Sequence, residues 1–106
     1  MNTPWILLIL AGITEIGWPI GLKISRYPDK SFFGIAIAII FALLSGWLLW
    51  SAQKDISIGT SYAVWTGIGT VGTFLVGILF FDDVMNLTKL VAIGLVVTGT
   101  ILLKYG

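Results

Sequence analysis

Four apolar runs, at roughly residues 4–22, 32–51, 58–80 and 87–103, leave this chain few ways to fold. A helix needs about 20 consecutive apolar residues to cross the hydrocarbon core of a bilayer. In that medium it is also one of the few structures that satisfies its own backbone N–H and C=O groups. The three breaks between the runs are short and polar, and no stretch is left over for a soluble domain. The pattern predicts an all-α membrane protein, with residues 1–106 forming one domain of four transmembrane helices.

The charges support this division. Of the six basic and five acidic residues, all but Glu15 fall at or beyond the ends of the runs. Lys23, Arg26, Asp29 and Lys30 lie in the first break, with Pro28 as a helix stop, and Lys54 and Asp55 lie in the second. Asp82, Asp83 and Lys89 mark the third, and Lys104 follows the last run. Charged residues make up 10% of the chain and hydrophobic residues 58%, whereas a soluble domain carries about 25% charged residues. The stretch Met1–Pro4 lacks the basic region of a secretory signal, so the first run is expected to stay in the mature protein.

Several function classes are disfavoured by what is absent. A net charge of +1 gives no basic patch to track nucleic-acid phosphates. The sequence has no cysteine and no histidine, which removes thiolate metal sites, disulfides and the commonest general base. One intramembrane acid without such partners forms no catalytic constellation, so neither an enzyme nor a cofactor or metal site is expected.

Glu15 therefore carries the chemistry. An ionised acid at the centre of a membrane helix costs about 2.5–3.5 kcal/mol on insertion scales, so such groups are seldom kept without use. An apolar setting disfavours the charged form. The group is then either protonated and neutral, or anionic with a cation bound. The plainer alternative is a structural acid paired with a backbone or polar neighbour. In an unbroken helix Gly12 and Trp18 share its face, three residues to either side. Gly12 leaves room beside the carboxylate. Trp18 can donate its indole N–H or offer a ring face to a cation, or can simply pack or sit in the interfacial aromatic belt. Pro19 removes a helix hydrogen bond close to the acid, and such a break needs a compensating partner or a cavity.

The other runs add polar and aromatic candidates. Ser45, well inside the second, can either orient Glu15 or satisfy its own helix backbone. Tyr62 and Trp65 in the third share a face, fit to line a cation site or to pack. Gly67 and Gly69, one turn on, predict either a hinge or a close helix contact. In the fourth, the small residues Ala92 and Gly99, with Gly94 and Thr98, suit helix–helix association.

Orientation is weakly determined. Lys23, Arg26, Lys30 and Lys89 fall on one side, and Lys54 and Lys104 on the other. A four-to-two bias is compatible with a fixed topology that keeps loops one and three cytoplasmic. It is equally compatible with insertion in both orientations and an antiparallel dimer.

The lone acid in the first span, followed by Gly59-Thr60-Ser61-Tyr62-Ala63-Val64-Trp65-Thr66-Gly67-Ile68-Gly69 in the third, resembles the small multidrug resistance family of proton-coupled exporters. The segment Gly12-Ile13-Thr14-Glu15-Ile16-Gly17-Trp18 is similar to that family's guanidinium-exporter branch. Pro19 departs from the pattern, as does the loop segment Asp82-Asp83-Val84-Met85-Asn86, which lacks the basic residue expected there. The resemblance implies a multi-pass protein of the bacterial inner membrane, working as an antiparallel homodimer or as one half of a paired heterodimer. It implies export of guanidinium-type cations in exchange for protons. Glu15 would be the shared site for both, Ser45 and Trp18 its orienters, and Tyr62 and Trp65 its walls. Alternatives are a polyspecific exporter of quaternary ammonium and lipophilic cations, a lipid or polyamine carrier, a passive cation channel, and a structural membrane subunit.

Overall fold

A computed structural model describes residues 3–106, so the reading of Met1 and Asn2 lies outside the described residues. The chain is all-helical: α1 (Thr3–Glu15), α2 (Gly17–Ile24), α3 (Ser31–Ala52), α4 (Ile58–Phe80) and α5 (Leu87–Tyr105). Helices α1 and α2 follow one another as a single apolar span, Thr3–Ile24, and with α3, α4 and α5 make four helices long and apolar enough to cross a membrane. The first expected helix is thus two helices. Pro19 has no N–H to give the Glu15 carbonyl, and its ring crowds that carbonyl. The ladder accordingly fails just after Glu15, where Ile16 N–H bonds to the Ile13 carbonyl at 3.2 Å in a tighter turn.

Small residues set how closely the helices pack. Gly21 of α2 and Gly34 and Ala38 of α3 bring the two backbones together: a Cβ on Gly21 would lie 2.6 Å from Ala38 N and 2.7 Å from the Gly34 carbonyl. Lower in the same antiparallel pair, Gly17 receives the Phe41 ring. The first span and α4 run parallel, with Gly12 against Ile68, Glu15 against Gly69 and Ile16 against Gly72. Leu8, Ala52, Ile56 and Val64 form the buried core below Glu15, flanked by Trp5, Leu49, Trp65 and Ile68.

Helix α5 stands apart. Its backbone comes close to that of α4 alone among the helices, and none of its residues is buried. Asn86 caps its start, accepting from Lys89 N–H at 2.9 Å. Near its end, Lys104 Nζ sits 4.8 Å from the Trp5 ring centre, a cation–π contact with the start of α1.

The loops are short. Tyr27 in the first stacks on Phe81 after α4, with ring centres 6.5 Å apart, which joins loops one and three on one side of the bundle.

Candidate functional site

Glu15 is the last residue of α1, half-buried at the break that Pro19 imposes. Its side chain leaves the helix towards α4, where Gly69 makes room for it: a Cβ at position 69 would stand 2.6 Å from Glu15 Cγ. From the other side comes Ser45 of α3, fully buried. Ser45 Oγ donates to the Ala11 carbonyl at 2.8 Å and lies 3.4 Å from Glu15 Oε1. Trp65 of α4 donates its indole N–H to Ser45 Oγ at 2.8 Å. Three helices therefore meet in one chain of hydrogen bonds beside the carboxylate.

Tyr62 extends this chain by its ring. It packs against Trp65 with centres 5.4 Å apart and planes tilted by 54°, and it is 57% exposed. The pair offers an aromatic wall that is still open on one side.

Glu15 opens on a cavity of about 390 Å³ lined also by Pro19, Thr66, Gly69, Thr70, Thr73, Phe74 and Asp83. A second cavity, of about 560 Å³ between α4 and α5, is lined by Tyr62, Thr66, Thr70 and Gly99 among others. The two share Thr66 and Thr70, so Glu15 and Tyr62 border neighbouring cavities. A carboxyl group at the edge of such a cavity, with hydroxyls and ring faces near it, can hold a small organic cation or a proton. Among the described residues no group of three or more acids, histidines or cysteines is placed to hold a metal ion.

The structure brings Glu15, Ser45, Tyr62, Trp65 and Gly69 to one place, and puts Gly12 one turn away under Ile68, where a Cβ would lie 2.6 Å from Ile68 Cβ. Trp18 sits half-buried beyond the break, and among the described residues its indole makes no hydrogen bond to Glu15. Position i+3 faces residue i only while the helix is continuous, and here the helix is interrupted between them. The indole that acts on Ser45 is Trp65.

Gly67 and Gly69 lie within an uninterrupted α4. Both are buried at close contacts, Gly67 against Thr100 of α5 and Gly69 against Glu15. Ala92 and Gly99 lie on the exposed surface of α5, and a Cβ on Gly94 or Gly99 would meet nothing within 4 Å.

Sequence reasoning missed the roles of Thr70, Thr73 and Asp83 in lining the Glu15 cavity. The spacing of Thr66, Thr70 and Thr73 by four and three residues does place them on one face of α4 and was a usable signal.

Four helices long and apolar enough to span a membrane, with one acid midway along the first and a cavity beside it lined in part by threonines, define a small multi-pass membrane protein. The chain belongs to the small multidrug resistance family: the family model described as "Small Multidrug Resistance protein" matches residues 3–96. The chain is 41% identical over 100 residues to a protein of Yersinia pseudotuberculosis serotype I (strain IP32953) named "Guanidinium exporter", covering 94% of this chain and 95% of that one. A protein of the same name from Salmonella typhimurium (strain LT2) is 41% identical over 104 residues, and one from Citrobacter freundii 39% over 103, each alignment covering 94% of both chains.

Proposed function

We propose that the protein is a proton-coupled antiporter of the bacterial inner membrane that exports guanidinium and related small guanidinyl cations, and not an enzyme. The observation that carries this reading is the placement of Glu15. It is the one acid within the spans, on a helix break and beside a cavity, with a hydroxyl that can serve either of its protonation states. The names of the relatives support the choice of guanidinium as substrate.

Coupling follows from competition. The carboxylate is neutral with a proton or compensated by a cation, and the uncompensated anion is expensive at this depth. One chain has too few helices to surround the site and alternate its access. In an antiparallel homodimer the exposed face of α5 would be covered and two Glu15 side chains would share the site. Two close carboxylates repel, so protons are held when the cation is absent and released when it enters. Trp65, Tyr62 and Ser45 would wall the site, with Gly12 and Trp18 at its margin.

The test is the purified protein in liposomes under a guanidinium gradient. Guanidinium entry should drive proton exit, detected by an internal pH dye. Guanidinium flux without proton movement indicates a channel, and no flux in an intact reconstituted protein refutes the reading.

A further inference from the structure

The cavity beside Glu15 reaches the edge of the bundle. Its far end is lined by Asp83, which follows α4. A neighbouring cavity of about 180 Å³ shares Pro19, Thr73 and Asp83 with it and adds Lys23 and Phe81. The two adjoin as a track along the parallel pair of α2 and α4, with Glu15 against Gly69 and Asp83 against Gly77, about two turns further along α4. The threonines lie between. Thr66 donates its hydroxyl to the Tyr62 carbonyl at 2.7 Å. Among the described residues Thr70 and Thr73 make no hydrogen bond, which leaves both hydroxyls to whatever occupies the track.

Asp83 is held at this mouth by the local fold. Asp82 adopts φ 59°, a left-handed conformation that Asp tolerates better than most residues, and turns the chain back on α4. Asp83 N–H then bonds to the Gly77 carbonyl at 3.1 Å, which also accepts from Phe81 N–H at 3.0 Å. The Asp83 carboxylate lies against Gly77 itself, in space that any Cβ would fill. The turn and the glycine thus seat a carboxylate over the groove.

We propose that Asp83 is an outer cation-binding station of the transport route. A cation entering from the side of loops one and three binds first at Asp83, then passes Thr73 and Thr70 to Glu15. This rests on the reading of Glu15 as the inner cation site. Lys23 lines the same mouth, so its ammonium and the incoming cation share the field of Asp83. The station is therefore weak by construction, which suits a site that must release its cation inwards. Asp82 is the neighbouring acid on the turn, and Glu15 the acid at the inner end.

The experiment compares wild type, Asp83→Asn and Asp83→Glu in liposomes, measuring initial uptake of guanidinium and of tetramethylammonium, together with equilibrium binding in detergent. At ~0.01 M ionic strength, where the screening length is ~30 Å, Asp83→Asn should slow uptake by about tenfold. Equilibrium binding at Glu15 should change by less than about twofold, since Asp83 lies against Gly77 and Glu15 against Gly69, about two turns apart along α4. The rate difference should shrink at ~1 M salt, and Asp83→Glu should restore most of the rate. A merely structural Asp83 would lower rate and binding together, at all salt concentrations, with no rescue by Glu. That result, or a wild-type rate in Asp83→Asn at low salt, overturns the station while leaving the Glu15 reading in place. A wild type that carries neither cation overturns both.

Discussion

The indole nitrogen of Trp65 lies 2.8 Å from Ser45 Oγ, and the same oxygen is 2.8 Å from the Ala11 carbonyl and 3.4 Å from Glu15 Oε1. A serine hydroxyl has one proton to donate and two lone pairs to accept. Trp65 occupies one lone pair, and the proton goes to Ala11 at the shorter distance. A protonated Glu15 can donate to the remaining lone pair. An ionised Glu15 can instead draw the hydroxyl proton from Ala11. Ser45 can therefore answer either state of the acid without leaving a polar group unpaired.

Ser45→Ala should consequently cost more than a lost contact. It strands the Trp65 N–H and removes the donor for the Glu15 anion, each worth about 1–3 kcal/mol when buried. Guanidinium binding should weaken about tenfold or more, followed by titration of intrinsic tryptophan fluorescence. Trp65→Phe should add little to Ser45→Ala, because both remove the same bond. Full additivity would show that the two act independently.

Glu15→Gln should fold and insert normally, since the side chain keeps its size and loses only its ionisation. Proton-coupled uptake should disappear. In the wild type, guanidinium affinity should fall as pH falls, because protons and cation compete for the same carboxylates. With two interacting acids the midpoint belongs to the pair. Calorimetric titrations across a pH series measure this, and a pH-independent affinity would dissociate Glu15 from substrate.

Gly69→Ala tests how tightly the acid is held. The new methyl group would sit 2.6 Å from Glu15 Cγ, so the flexible Glu side chain must move. Affinity should drop by about tenfold or less, while the melting temperature changes little, since no backbone lies in the way. Gly94→Ala is the internal control, as its Cβ meets nothing within 4 Å. If Gly69 served only as a hinge, turnover would fall with affinity intact.

Much of this architecture is legible in the amino-acid sequence. Four spans follow from composition, because charge is excluded from the runs between the loops. Ser45 and Trp65 stood out singly, but their bond joins residues twenty positions apart on different helices, and no local period reports it. Spacing alone sets Trp18 beside Glu15, yet among the described residues its indole makes no hydrogen bond to the acid. The i, i+3 rule presupposes a continuous helix, and Pro19 ends that continuity just after the acid. Asp83 read as a loop charge, since only the parallel register of α2 against α4 carries the cavity to it.

The exposed helix α5 bears on assembly. Two of the four glycines whose added Cβ would touch nothing in the chain, Gly94 and Gly99, lie on this helix, whose backbone comes close to that of α4 alone. A single chain that exposes this face should pair through it, because small residues let helices approach closely in lipid. Gly99→Leu should leave helical content unchanged and shift the protein from dimer to monomer in lipid, as counted by single-molecule photobleaching. An unaltered dimer would move the interface elsewhere. Single-cysteine labelling of the termini should find each on both sides of the membrane, and labelling from one side alone excludes an antiparallel homodimer.

Selectivity is the sharpest test of the proposed substrate. Guanidinium is planar and carries N–H donors around its edge, so it binds best to acceptors held in position. Glu15 supplies such acceptors, held by Ser45 on one side and Gly69 on the other. Tetramethylammonium has no N–H and gains from ring faces such as Tyr62 and Trp65. Bound at Glu15, it would leave carboxylate oxygens desolvated without hydrogen bonds, at about 1–3 kcal/mol each. Tyr62 is half open, so its face is less able to repay that cost than an enclosed aromatic cage. Guanidinium transport should therefore exceed tetramethylammonium transport by at least about tenfold in matched liposomes at one pH. Tyr62→Ala should impair tetramethylammonium more than guanidinium, and Ser45→Ala the reverse. Equal transport of the two cations would show that the aromatic wall, rather than the positioned acid, governs recognition, and would make the protein a polyspecific exporter on the same scaffold.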